Sequence, residues 1–326
     1  MNILVSGAAG YVGSIVVEEL LRAGDTVIAL DNLQQGHRQA VAPGAIFIHG
    51  DIGDTTTLEQ VLRRWQIEAV MHMAAETVVE FSVTDPARFF RCNVARGLVL
   101  LDAMVKHDVS RLVFSSTAAV YGEPESPVIQ ESHSKTPINS YGESKLMFES
   151  MLSWYHHAYG LKYVSLRYFN AAGASQRFGE DHRPETHLIP IVLQVALGRR
   201  EHIAIFGTDY PTRDGSCVRD YVHVTDIAQA HILALRNLDR LGSRAYNLGN
   251  GAGYSVIEVV EAARRVTGAP IPAVTGPRRP GDPATLVASS DLIRAELGWQ
   301  PACPDLDTIV RTSWEWQKRH PDGYKE

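Results

Sequence analysis

The chain has 326 residues, 45% of them hydrophobic and 21% charged, with a formal net charge of −6. This length and apolar content provide a large buried core in one or two domains. Acidic and basic residues are intermixed without a basic block, which argues against a nucleic-acid partner. Cys92, Cys217 and Cys303 stand far apart with no Cys-x-x-Cys pair, so neither a disulfide framework nor a metal site is expected. With no basic leader and no apolar run long enough to span a bilayer, the expectation is a soluble cytoplasmic protein with no membrane partner.

Ile3-Leu4-Val5 reads as a strand buried on both faces. It runs into Gly7-Ala8-Ala9-Gly10-Tyr11-Val12-Gly13, then a helical pattern with Ile15, Val16, Leu20 and Leu21 apolar, closed by Gly24. A second strand, Thr26–Leu30, ends on Asp31. Strand, glycine loop, helix, strand and acid form the dinucleotide-binding arrangement: the glycines let the backbone approach a pyrophosphate seated on the helix N-terminus. Asp31 can accept from the adenosine ribose hydroxyls. Its charge would repel a 2′-phosphate, so NAD is expected over NADP.

Further α/β units follow. Ile46-Phe47-Ile48 leads to Gly50-Asp51-Ile52, where Asp51 is placed to meet the adenine amino group. Ala69–Ala75 is another buried strand, with His72 read as a satisfied core histidine. Arg111–Thr117 is a strand ending in hydroxyl residues, at the end of an open sheet where ligands bind. Helices are expected over about Asp85–His107 and Tyr141–Tyr159. Both are apolar on more than one side, which is consistent with a subunit interface or a larger internal core. Within the second, Tyr141 and Lys145 are four apart and project from one helix face, where an ammonium favours a phenolate.

After Tyr163–Asn170 the character changes to a polar, glycine-containing loop over Ala171–Glu185. A helical run Ile189–Leu197, the segment Ala204–Gly207, the run Val218–Val224, a helix capped by Thr225, a strand-like Ala245–Gly249 and Arg278-Arg279-Pro280-Gly281-Asp282 complete the pattern. The fold class expected is α/β: a Rossmann-type doubly wound parallel sheet with a smaller C-terminal substrate-binding α/β lobe. The boundaries are 1–169 for the NAD-binding domain, completed by about 222–249, and 170–326 for the interlaced substrate lobe.

The Gly-x-x-Gly-x-x-Gly spacing with Tyr141-x-x-x-Lys145 resembles the extended short-chain dehydrogenase/reductase superfamily. Gly7–Gly13, Phe114–Gly122, Ser140–Met147, Leu166–Asn170, Ala204–Gly207, Val218–Val224, Tyr246–Gly249 and Arg278–Asp282 narrow the resemblance to the UDP-glucose 4-epimerase family over essentially the whole chain. The resemblance implies C4 epimerisation of a UDP-sugar through a 4-keto intermediate with NAD tightly bound; the surplus apolar helix faces add the expectation of a homodimer. Tyr141 would be the base, Lys145 would lower its pKa and hold the nicotinamide ribose, and Thr117 would hydrogen-bond O4. Cofactor contacts are implied at Gly7, Gly10, Tyr11, Val12, Gly13, Asp31, Asn32, Asp51, Ile52, Met73, Ala74, Ala75, Asn93, Ser115 and Tyr168, beside Tyr141 and Lys145. Substrate contacts are implied at Thr117, Asn170, His187, Leu188, Ala204, Phe206, Arg219, Arg279 and Asp282, where arginine forks suit diphosphate oxygens.

Three positions depart from the family pattern. Glu76 puts a charge near the cofactor, Thr186-His187-Leu188 replaces Asn-Asn-Leu, and Leu286 (or Thr285) stands at the position that gates N-acetylated sugars. The sugar therefore stays open between UDP-galactose/UDP-glucose and an N-acetylated or uronate relative. A non-enzymatic NAD sensor is the rival reading. A dehydratase would need an acid–base pair after Thr117, where this chain has Ala118-Ala119.

Overall fold

A computed structural model describes residues 1–279 and 282–325. Pro280 and Gly281, within the Arg278–Asp282 run, and Glu326 lie outside the described residues. The first lobe runs β1 (Asn2–Ser6), α1 (Tyr11–Arg22), β2 (Thr26–Asp31), β3 (Ile46–His49), α2 (Thr55–Arg64), β4 (Ala69–His72), α3 (Arg96–Lys106), β5 (Arg111–Thr117), α4 (Ser140–Tyr159) and β6 (Lys162–Tyr168). The chain then forms α5 (Leu188–Ala196), returns as α6 (Val224–Leu241) and β7 (Arg244–Leu248), and ends with α7 (Val256–Thr267) and α8 (Leu306–Arg319).

The seven strands make one parallel sheet in the order β7-β6-β5-β4-β1-β2-β3. Alternation along each strand supplies two cores, because successive side chains leave opposite faces. Ile3, Val5, Val27 and Ala29 pack in one layer with Ile15 and Leu20 of α1 and Ala228 and Leu235 of α6. Leu4, Ile28 and Leu30 pack in the other with Leu58 of α2, Leu100 and Leu101 of α3, and Phe148 and Leu152 of α4. Each Val, Leu, Ile or Phe among them, fully buried, contributes about 1.5–3 kcal/mol. The strand order reverses between β1 and β4, which opens a crevice at the carboxyl ends of the strands.

The smaller lobe packs α5, α7 and α8 through Val192, Leu193, Val259, Val260, Ile309 and Val310. Short strands join it: Asn170–Ala172 pairs in parallel with Tyr221–His223, and Ile203–Phe206 with Ala273–Gly276. The chain passes between the lobes more than once, since α6 and β7 belong to the main sheet while α5 and α7 do not.

Two elements differ from the sequence expectation. The stretch expected as one helix over Asp85–His107 is divided into Pro86–Phe89, a π-helical turn Phe90–Ala95, and α3. The widened turn carries Asn93 inward, where its side chain bonds both backbone groups of Glu76 and the Ser144 hydroxyl. The cap of α6 is His223 rather than Thr225: the His223 ring accepts from Thr225 N, so the helix begins two residues earlier.

Candidate active-site cleft

One cleft of about 1070 Å³ runs along the carboxyl ends of the strands and onto the smaller lobe. At one end the glycine loop shapes it. Gly7 has φ +73°, and a Cβ there would stand 2.5 Å from Ala74 N at the exit of β4. A Cβ on Gly13 would stand 2.0 Å from Gly7 O, so α1 could not dock. Gly10 is different: its Cβ would meet only Gly7 O at 3.4 Å, and the residue lines the cleft. Gly10 also gives α1 no side-chain cap, so the first-turn N–H groups are left to the cleft.

Asp31 ends β2 buried, with Oδ2 accepting from Ala9 N at 2.9 Å and Oδ1 from Leu33 N at 2.8 Å. Burial pushes its carboxyl pKa up and the two N–H groups pull against that shift. Asp51 takes Gly53 N on one oxygen, and Asn32 and Arg96 on the other. A glycine cradle, an uncapped helix terminus and an acid at the end of β2 fit a dinucleotide with free ribose hydroxyls.

Tyr141 and Thr117 meet because the start of α4 is pinned beside the end of β5. The Asn139 side chain accepts from Gly142 N at 2.8 Å and caps the helix. A Cβ on Gly142 would stand 2.4 Å from Ala119 O, in the turn directly after Thr117. Tyr141 therefore enters the cleft in the first turn, beside the Thr117 hydroxyl. Burial pushes the Tyr141 pKa up, with the Thr117 hydroxyl pulling it down. Lys145, one turn on, is buried, and its Nζ donates to Ser115 O at 2.9 Å. Loss of solvent lowers its pKa to about 7, while the Glu149 carboxylate acts to raise it. The expectation that Lys145 lowers the Tyr141 pKa thus meets a site in which burial dominates and the net shift of the phenol is upward.

Gly7, Gly10, Tyr11, Val12, Gly13, Asp31, Asn32, Asp51, Ile52, Met73, Ala74, Ala75, Thr117, Tyr141, Tyr168, Asn170, His187, Phe206 and Arg279 all line the cleft. Register explains part of this convergence, since Thr117 of β5 stands opposite Tyr168 of β6. Lys145, Ser115, Asn93, Leu188, Ala204, Arg219 and Asp282 are not on its wall. Ser115 stands behind Lys145, its hydroxyl donating to His231 Nε2 at 2.8 Å. Asn93 braces the segment after β4 as described. Arg219 is paired with Asp282 and also donates to Val218 O at 2.7 Å. The Arg279 guanidinium lies 4.3 Å over the Phe206 ring, forming a flat stacked wall at the smaller-lobe end.

The departures also have a place. Glu76 is buried, but Arg88 pairs with it at 2.8 Å and Gln34 and Gln35 donate to it, so its charge is compensated. Leu286 packs with Phe169, Val120 and Tyr121, and Phe169, not Leu286, lines the cleft. His187 lines it beside Glu180, whose carboxylate pushes the imidazole pKa well above its ordinary value. Sequence reasoning passed over Glu180, His182 and Glu185, which lie in the polar loop and also reach the wall. Their alternation of acid and imidazole before α5 was the available signal.

The pattern of the NAD dependent epimerase/dehydratase family matches residues 3–249. A UDP-glucose 4-epimerase of Halalkalibacterium halodurans is 55% identical over 99% of this chain and 98% of its own. A crystal structure of a UDP-glucose 4-epimerase superposes with a TM-score of 0.98 at 49% identity, covering 100% of both chains. That of the Bifidobacterium longum UDP-glucose 4-epimerase, in complex with NAD+ and UDP, gives a TM-score of 0.94 at 37% identity over 99% of this chain and 100% of that one. The glycine cradle, the Tyr141–Thr117 pair and these whole-length likenesses agree: the chain belongs to the NAD dependent epimerase/dehydratase family, on the branch of the UDP-glucose 4-epimerases.

Proposed function

We propose that this chain interconverts UDP-galactose and UDP-glucose by inversion at C4, using NAD that stays bound through turnover. The carrying observation is one continuous cleft with the glycine cradle at one end, the Phe206–Arg279 stack at the other, and the Tyr141–Thr117 pair on its wall. NAD, when bound, accepts and returns the C4 hydride. Gly7, Gly10, Gly13 and the α1 terminus hold its pyrophosphate, and Asp31 its adenosine ribose. Tyr141 takes the O4 proton and gives it back, with Thr117 holding O4 and sharing the hydrogen bond. Because burial raises the phenol pKa, the base form depends on positive charge in the site. The buried Lys145 is the chain's own source, one helical turn away. Phe206 and Arg279 take the uracil and diphosphate end.

Residues 1–169 with 222–249 act as the NAD-binding unit and the remainder as the UDP-sugar unit. Among the described residues no helix is long and apolar enough to cross a membrane. The three free cysteines accord with a reducing cytoplasm. Leu98 of α3 and Met147, Trp154 and Tyr159 of α4 are large and exposed, with Trp154 at 75%, and support a homodimer through these two helices. Sedimentation equilibrium checks this: twice the chain mass is expected, and Trp154→Asp should shift the population towards monomer.

The functional test is to supply UDP-galactose to the purified protein without added NAD and assay UDP-glucose. Product is expected. None, with or without NAD, sinks the assignment, and product only on UDP-N-acetylgalactosamine or UDP-glucuronate moves it to that sugar.

A further inference from the structure

Four side chains of the loop before α5 converge on the cleft wall: Glu180, His182, Glu185 and His187. Their ligand atoms all lie within 4.8 Å of one another. We propose that these four residues bind one divalent ion of the zinc class, which clips residues 180–187 into the wall of the cleft beside Tyr11. The inference does not depend on the reaction assigned above.

The distances set the argument. His187 Nδ1 is 2.7 Å from Glu180 Oε1 and 2.9 Å from Glu185 Oε1, and His182 Nδ1 is 3.0 Å from Glu180 Oε1. Ligands about 2.0–2.2 Å from a tetrahedral zinc stand roughly 3.3–3.6 Å apart. The close pairs need to part by about 0.3–0.9 Å, and the wider ones to close by about 1 Å, through side-chain rotation. Two imidazoles and two carboxylates suit zinc and its transition-metal neighbours. Calcium and magnesium take oxygen ligands.

The carboxylates of the cluster are also sheltered from solvent. The Glu180 side chain is only 7% exposed, and both imidazoles approach the same oxygen, Oε1. The carboxylate also lines the cleft. A cation in the cluster would draw this carboxylate and both imidazoles onto one centre.

The surroundings are already held in place. The His182 ring packs edge-on to Tyr11 at 6.2 Å, and the Tyr11 hydroxyl donates to Gly173 O at 2.6 Å. Asp181 accepts from Tyr324 N at 2.9 Å, tying the loop to the C-terminal segment. An ion at the cluster would complete a frame of which the rest is built.

The test uses the purified NAD-containing protein, stripped with a chelator, desalted and titrated with zinc chloride by calorimetry. Wild type is expected to bind one zinc per chain with micromolar affinity or better, with a rise in Tm. His182→Gln and Glu180→Gln are each expected to weaken binding about tenfold or more, with far-UV circular dichroism and NAD content unchanged. No stoichiometric binding by wild type, or equal binding by correctly folded variants, overturns the site. If the variants do not fold, the X-ray absorption edge of the wild-type zinc form decides. Nitrogen and oxygen ligands with imidazole scattering support the site, and sulfur ligation or a fully hydrated ion overturns it.

Discussion

Gly10 and Gly13 stand three residues apart and are glycine for different reasons. Gly13 is required by the protein itself, because its Cβ would sit 2.0 Å from a backbone oxygen, whereas Gly10 has room within the protein and is required by what enters the cleft. Gly13→Ala is therefore expected to lower Tm and strip NAD together, and Gly10→Ala to lose NAD with Tm close to that of the stripped wild type. Cofactor content and thermal melts separate the two, and a Gly13→Ala protein with wild-type Tm would show that α1 has slack the geometry denies. Tyr141→Phe keeps the ring, which packs edge-on to Phe89 at 6.3 Å, and removes only the hydroxyl. A fall in kcat of about 10²–10⁴-fold with NAD content unchanged is expected, the usual worth of a positioned acid–base group. An unchanged kcat would take Tyr141 out of the proton-transfer role.

At the level of elements, α4 delivers the chemistry, and one buried ion pair anchors it. Glu149 lies one turn beyond Lys145 and accepts from Arg167 Nε of β6 at 3.0 Å and from the Ser116 hydroxyl of β5 at 2.6 Å. Arg167 is 4% exposed and also donates to the Tyr121 hydroxyl at 2.9 Å. Glu149→Ala would leave that guanidinium buried without its carboxylate, at a cost of about 3–5 kcal/mol by denaturant titration. A loss under about 1 kcal/mol would mean that α4 is held by its apolar face alone. This anchoring was not legible in the sequence, because it depends on which faces of α4, β5 and β6 meet. The unit from β1 to Asp31 was legible, since its signal is local: a doubly apolar strand, glycines at fixed spacing, then an acid. The break at Phe90–Ala95 and the inward turn of Asn93 answer to the backbone of Glu76, seventeen positions away, and have no local signature. The rotamer of Lys145, bound to a strand carbonyl, is equally a tertiary fact. So is the pairing of Arg219 with Asp282, both of which sequence pattern placed at the ligand.

Across the whole molecule, three buried histidines set the response to acid. His72 bonds the Ser6 hydroxyl, His223 sits between Thr225 and Thr312, and His231 donates to Ile227 O while accepting from Ser115. Burial lowers their pKa values to about 3, about 4 and about 4 respectively. Between those values and the unfolded value of about 6.5, the unfolded chain binds more protons than the folded one. Stability is therefore lost as pH falls below about 6.5, at up to about 1.4 kcal/mol per pH unit for each histidine. His187, shifted upward, acts in the opposite sense near pH 6.5, where the unfolded imidazole is still gaining its proton, and adds little below that. Tm should decline steadily from pH 6.5 to 5, and a flat profile would show that these rings take up protons without unfolding. The arrangement of α1 against α6 bears on how the polypeptide is made. Glu19 and Asp25 hold Gln229 and Arg236 of α6, and the same helix covers the sheet face formed by Ile3, Val5, Val27 and Ala29. During synthesis from the N-terminus, that face emerges from the ribosome long before residue 241 is polymerised. Until then α1 alone is available to shelter that face, and the rest of its apolar surface gains its cover only when the returning helix arrives.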